Sequence, residues 1–108
     1  MKVLNFTVLH RASFAEIFPF ADGVFSIVTA SISLHNVSKA EQGAAVREMA
    51  RVCSPDGVVI IVDLFGVSGH VHTLKELGWV NVKTRGAGLR MTFGIFPCHI
   101  LTAVKPPS

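Results

Sequence analysis

The sequence, 108 residues long, predicts an α/β domain built on a mostly parallel sheet. Three observations carry that expectation. "FSIVTASISL" and "VVIIVDLF" are β-branched and apolar on both faces, as strands are in a parallel sheet covered by helices. Between them, "SKAEQGAAVREMARVC" places its apolar residues at helical spacing. The chain then closes on two successive strand-like segments, which predicts a terminal hairpin-like pair.

The elements follow in order. "VLNFTVL", from Val3 to Leu9, has strand composition. "IFPFADGVF" is loop, because Pro19 and the Asp22–Gly23 pair punctuate it. After the first doubly buried strand, Ser38 with Glu41 three residues on matches a capping box, in which two side chains satisfy free N–H groups at a helix start. Ala45, Val46, Met49, Ala50 and Cys53 form the inner side of that helix, and Arg47, Glu48 and Arg51 the outer. "SPDG", Ser54 to Gly57, then breaks it. "GHVHTLKELG" reads as a short helix with Val71, Leu74 and Leu77 inward and Gly78 at its C-terminal cap. "WVNVKTRG" alternates like a strand with one wetter face, and "IFPCHILTAVK" is the last strand. One domain over 1–108, with 106–108 as a short tail, is the expected organisation.

Composition narrows the function classes. Half the residues are hydrophobic and 16% are charged, which is apolar for a chain of this size. The ten basic residues are scattered and form no stripe able to track a phosphate backbone, so no nucleic-acid partner is expected. Cys53 and Cys98 lie far apart without metal spacing and read as free buried thiols. No metal site is expected. "GVVIIVDLFGV" is too short for a bilayer and contains Asp63, and the N-terminus lacks signal-peptide pattern, so the expected location is cytoplasmic with no membrane partner.

Three segments together resemble the C-terminal half of a class I S-adenosylmethionine-dependent methyltransferase, of the small-molecule kind called methyltransferase type 11. "IFPFADGVFSIVTASISLHNV" resembles the family's "LPF-x-D-x-x-F-D-x-V" stretch, its fourth strand and the "LHHV"-like motif after it. "VREMARVCSPDGVVIIVD" resembles "REMARVLKPGGxLxxxD", the helix, turn and fifth strand. "LKELGWVNVKTRG" and "ILTAVKP" resemble the sixth and seventh strands. The resemblance implies a partial Rossmann-like sheet, strands three to seven of the family order, with S-adenosylmethionine as cofactor and a small molecule as methyl acceptor. It implies cofactor-binding roles for Ser13, Phe14, Ser31 and Leu34, and a proton-accepting role for His35.

The departures from the family pattern matter as much. The Gly-rich loop after the family's first strand, where small residues let the backbone approach the cofactor, is absent. So is the acidic residue that ends its second strand. Ser26 stands where the family has Asp, and Asp56 where it has Gly, a change that turn geometry tolerates. In the family order 3-2-1-4-5-7-6, losing strands one and two would leave strand three without a neighbour. "IVTASIS" would become an open apolar edge, inviting a homo-oligomer or a partner chain. Two functions follow: a methyltransferase domain present as a C-terminal portion, inactive alone, or a catalytically inactive module that pairs through its open edge.

Simpler roles stand beside the sharper ones. His35 suits an ordinary hydrogen-bonding cap at a strand end. Asp63 reads as a strand-end carboxylate capping the next turn rather than a pocket residue. His70 and His72, two apart on a helix, diverge and do not make a metal pair. Trp79 reads as a packing residue over the sheet end.

Overall fold

The computed structural model describes residues 2–8, 20–32, 39–63, 68–91 and 94–107. Its elements are β1 (Val3–Val8), β2 (Phe25–Ile32), α1 (Lys39–Val52), β3 (Cys53–Asp63), α2 (Ser68–Glu76), β4 (Asn81–Met91) and β5 (Gly94–Val104). The strands form one sheet in the order β1-β2-β3-β5-β4. β1, β2 and β3 run parallel, and β5 enters antiparallel between β3 and β4.

The sheet corrects one expectation. "IVTASIS" is not an open edge. β1 pairs directly with β2 along its whole length, from Val3 beside Ile27 to Val8 beside Ile32. The free edge on this side therefore belongs to β1. The physical reason is that an unpaired strand leaves its N–H and C=O groups without partners, and the nearest parallel strand satisfies them.

Every second residue of the central strands feeds one core. Val28, Val59, Ile61, Leu101 and Ala103 are buried against Val46, Met49 and Val52 of α1 and Leu74 of α2. Each large aliphatic side chain so buried stabilises the fold by roughly 1.5–3 kcal/mol. The two helices pack against each other and lie on this same face, α1 over β2 and β3, α2 toward β4. The inner residues expected for α1, Ala45, Val46, Met49, Ala50 and Cys53, are all buried, although Cys53 already belongs to β3. The proposed Ser38 cap lies outside the described residues.

α2 is rotated from its expected setting. His70, Thr73 and Leu74 are buried, Val71 is half-buried, and Leu77 is 43% exposed. Leu77 sits in the helix terminus rather than on the apolar stripe. Gly78, at φ 91°, takes the left-handed turn that a Cβ disfavours, so Gly78 N–H donates to Lys75 O and Trp79 N–H to Leu74 O. That turn swings Trp79 into the core, where it is 3% exposed, in keeping with its expected packing role.

"SPDG" forms an irregular start to β3 rather than a turn before it. Phe25 pairs with Cys53, and the register then shifts before Ile27 meets Val58. Asp56 adopts φ 64°, a conformation Asp accepts better than most residues. Gly57 is buried, and a Cβ there would lie 2.7 Å from Cys53 Sγ and Ser54 O and 2.9 Å from Ser26 O. Only glycine fits where the two strands close on each other.

Candidate active site

In an open α/β sheet, ligands gather at the carboxyl ends of the parallel strands. Here that edge is formed by Val8, Ile32 and Asp63, the last residues of β1, β2 and β3. Just inside it stands Ser31, exposed, in register with Val62 of β3, Ile100 of β5 and Arg85 of β4. Alternation puts this row on the face away from the helices. The resemblance-derived positions Ser13, Phe14, Leu34 and His35 lie outside the described residues.

Asp63 turns to the helix side. Asp63, 1% exposed, meets His70 of α2, 3% exposed, with Oδ2 at 2.8 Å from Nε2. The pair ties the end of β3 to α2 across the connecting segment. Asp63 is thus a strand-end carboxylate, as expected, but it is held by a helix and does not open into a pocket. His72 points the other way and meets Glu76 at 2.9 Å on the surface, so the two histidines diverge as the helix dictates. The sequence signal for the His70 contact is its seven-residue spacing from Asp63, which joins the end of β3 to the first turn of α2. Assigning α2's inner side by apolar residues alone missed it.

A second polar contact, also unforeseen, lies on the Ser31 face. Thr29 Oγ1 donates to Asn5 Oδ1 at 2.8 Å, joining β2 to β1 across the sheet. It is the side-chain counterpart of the direct β1–β2 pairing.

β4 and β5 run on past the end of β3. The β3–β5 ladder stops where Asp63 meets His99, while the β4–β5 ladder continues through Ala87–Cys98 and Leu89–Phe96 to Met91–Gly94. At about 3.4 Å per residue this two-stranded ribbon overhangs the carboxyl edge by roughly 17 Å. An open cleft of about 470 Å³, lined by Lys83, Thr84, Arg85, Ile100 and Thr102, lies at the β4 border. It is three strands from Ser31, or roughly 14 Å at normal strand spacing, and so is not a pocket at the end of β2.

A family model described as a methyltransferase domain matches residues 2–61. The chain belongs to the class I methyltransferase family. It is similar to a demethylmenaquinone methyltransferase of Mycolicibacterium vanbaalenii, 49% identical over 45 residues, covering 42% of this chain and 19% of that protein. It is also similar to the ubiquinone/menaquinone biosynthesis C-methyltransferase UbiE of Cupriavidus taiwanensis, 33% identical over 78 residues, covering 67% of this chain and 31% of that protein. In fold it resembles a SAM-dependent methyltransferase of Methanosarcina mazei, with TM-score 0.65 and 14% identity over 82% of this chain and 63% of that one. The methyltransferase chain described here spans less than a third of the length of these curated relatives.

The methyltransferase fold implies S-adenosylmethionine. A cradle requires a βα turn where glycines leave room for close approach. Gly57 is enclosed by the chain's own Cys53, Ser54 and Ser26. Gly23 and Gly78 lie at positive-φ turns, and Gly86 and Gly88 lie within β4. Gly69, with open space beside it, stands alone in the first turn of α2. Direct β1–β2 pairing also occupies the sheet position beside β2. Among the described residues, no glycine-lined βα turn forms a cofactor cradle.

Proposed function

We propose that this chain is the C-terminal part of an S-adenosylmethionine-dependent methyltransferase acting on a small molecule. The observation that carries this is the strand order with an antiparallel β5 set between β3 and β4, following residues 2–61, which match the methyltransferase family. Methyl transfer from a sulfonium donor relies mainly on positioning and desolvation, so an edge with few polar groups is compatible with it. Relatives named for demethylmenaquinone and for ubiquinone/menaquinone biosynthesis support an acceptor of the quinone-precursor class. The buried free thiol of Cys53 suits a reducing compartment, which supports a cytoplasmic site of action. No described helix is long and apolar enough to cross a membrane.

In this reading the chain alone does not hold the methyl donor, because it carries one wall of the site. Calorimetric titration of S-adenosylhomocysteine into the purified chain is the test. No saturable heat is expected, and saturable micromolar binding would overturn the incompetence of the isolated chain. One observation favours a second reading, a non-catalytic methyltransferase-like module. β1 closes directly onto β2, so the sheet is continuous without the strands that the family order places between them.

A further inference from the structure

Charge is divided unevenly along the chain. All seven acidic residues lie within residues 1–76, with six of the ten basic ones. Residues 77–108 hold Lys83, Arg85, Arg90 and Lys105 and no acidic residue, so this part carries +4 and the rest −1. Lys105 is committed to the fold, where its Nζ meets Ala50 O and Cys53 O. The other three lie along β4, and Lys83 and Arg85 are exposed. The described carboxylates of the remaining chain are engaged elsewhere: Asp22 and Glu48 by Arg51, Glu76 by Arg47 and His72, and Asp63 by His70, while Asp56 sits in the irregular start of β3. Charges on a border strand ordinarily guard it against pairing, but either sign serves that purpose, and here only one is used. β4 borders the sheet on the side away from β1. In the family order strand six is the border strand too, so the absence of strands one and two does not create this edge. Beyond the Gly86–His99 pair, β4 and β5 continue alone for five residue pairs, from Ala87–Cys98 to Met91–Gly94. Residues 87–98 read "AGLRMTFGIFPC", with Leu89, Met91, Phe93, Ile95 and Phe96 as bulky apolar residues and Arg90 as the single charge. A two-stranded ribbon is marginal in water by itself. An apolar segment accompanied only by cations has the composition of an element that lies in a membrane interface.

We propose that the β4–β5 ribbon docks on an anionic lipid surface, with the apolar residues of 87–98 entering the interface and the β4 cations meeting lipid headgroups. The overhang of roughly 17 Å exceeds the depth of about 5–10 Å to which an interfacial element sinks, so the ribbon reaches the surface while the sheet stays outside. The sequence expectation of no membrane partner concerned segments that span. No described helix does so, and a ribbon resting on one leaflet needs no such run. Lipid is favoured over nucleic acid because the cations stand among bulky apolar residues and form no run that follows a phosphate backbone. The proposal rests on the charge and shape of residues 77–108 and is independent of methyl transfer.

Co-sedimentation of the whole chain with phosphatidylcholine vesicles, with and without about one-third phosphatidylglycerol, tests this. Binding to the mixed vesicles is expected to be at least about tenfold tighter than to phosphatidylcholine alone, and to weaken as salt rises. K83Q/R85Q, at two exposed positions, is expected to weaken it about twentyfold, since each cation near such a surface contributes about fivefold. L89S/F96S is expected to weaken it about tenfold with the salt dependence retained. Circular dichroism confirms that each variant is folded. Failure to sediment with either kind of vesicle, equal sedimentation with both, or binding untouched by K83Q/R85Q overturns the proposal. Tighter binding to a DNA duplex than to the mixed vesicles also overturns it, in favour of a nucleic-acid surface.

Discussion

At the amino end of β2 and β3, long cationic side chains reach across the fold to close it. Arg51 donates to Phe20 O and to Asp22 at 2.8 Å and also pairs with Glu48, while Gly23 N–H donates to Arg51 O. Lys105 Nζ reaches Ala50 O at 2.8 Å and Cys53 O at 2.6 Å, capping the carbonyls at the end of α1. Phe20 packs edge-on against Phe25, 4.9 Å between ring centres, beneath the same loop. The carboxyl end is built differently. There, among the described residues, the buried pair Asp63–His70 joins strand to helix, and Ser31, on the opposite face of the sheet, stays exposed. The amino end uses its polar groups to satisfy backbone and hold a loop, whereas the carboxyl end leaves polar groups at the surface where a ligand edge belongs. The two ends thus differ in how many polar groups they commit to the scaffold, and that difference can be tested by substitution.

The largest effect is expected at the buried Asp63–His70 tie of the carboxyl end. His70→Ala removes the buried imidazole that meets Asp63 Oδ2 and is expected to cost about 3 kcal/mol, read from the urea midpoint. A cost near zero would show that this end is open throughout and that the pair is incidental. Next comes the amino end. Gly57→Ala drives a Cβ into backbone that cannot yield, for an expected loss of about 2 kcal/mol in the same measurement. Lys105→Met keeps the aliphatic stem but removes two charge-assisted hydrogen bonds to carbonyls, with an expected loss of about 1.5 kcal/mol.

A smaller, pH-dependent effect separates burial from capping at the amino end. Burial pushes the Cys53 thiol up from its ordinary 9.0, partly offset by the Lys105 charge. The folded protein therefore holds this proton more tightly than the unfolded chain does. Its contribution is complete below pH 9 and is lost as pH rises through the higher folded value. The stability difference between the natural protein and Cys53→Ala is expected to shrink above pH 9, and a difference constant to pH 11 would contradict that sign. The smallest effect belongs to the site edge. Ser31→Ala is expected to stay within about 0.5 kcal/mol, since the side chain is exposed, and a larger loss would make Ser31 part of the scaffold.

Much of this architecture was legible because periodicity and punctuation agreed. The α1 stripe from Ala45 to Ala50, the doubly apolar β2 and β3, and the Gly78 cap each follow from local chemistry that neighbouring elements do not override. α2 was less legible, because its buried side is set by His70 and Thr73, polar residues made acceptable inside by Asp63 and by Gly69 O. The length of β4 was also hidden, whereas β5 follows the expected "IFPCHILTAVK" closely. "AGLRM", beyond the expected end of β4, has weak strand character and is strand because it pairs with "GIFPC". At the site edge, Ser31 was readable as the end of a parallel strand, while the Thr29–Asn5 bond required two residues far apart in the chain to become neighbours.

By itself the sequence determined the element types, the parallel character of the sheet and the methyltransferase resemblance, because these rest on patterns that repeat within a few residues. Only the tertiary structure decided which strand stands beside β2 and which residue answers Asp63. It also decided that one apolar face remains without a described helix. These depend on pairing between distant segments, where unsatisfied backbone groups take the nearest partner in space and strand order cannot be read from local spacing.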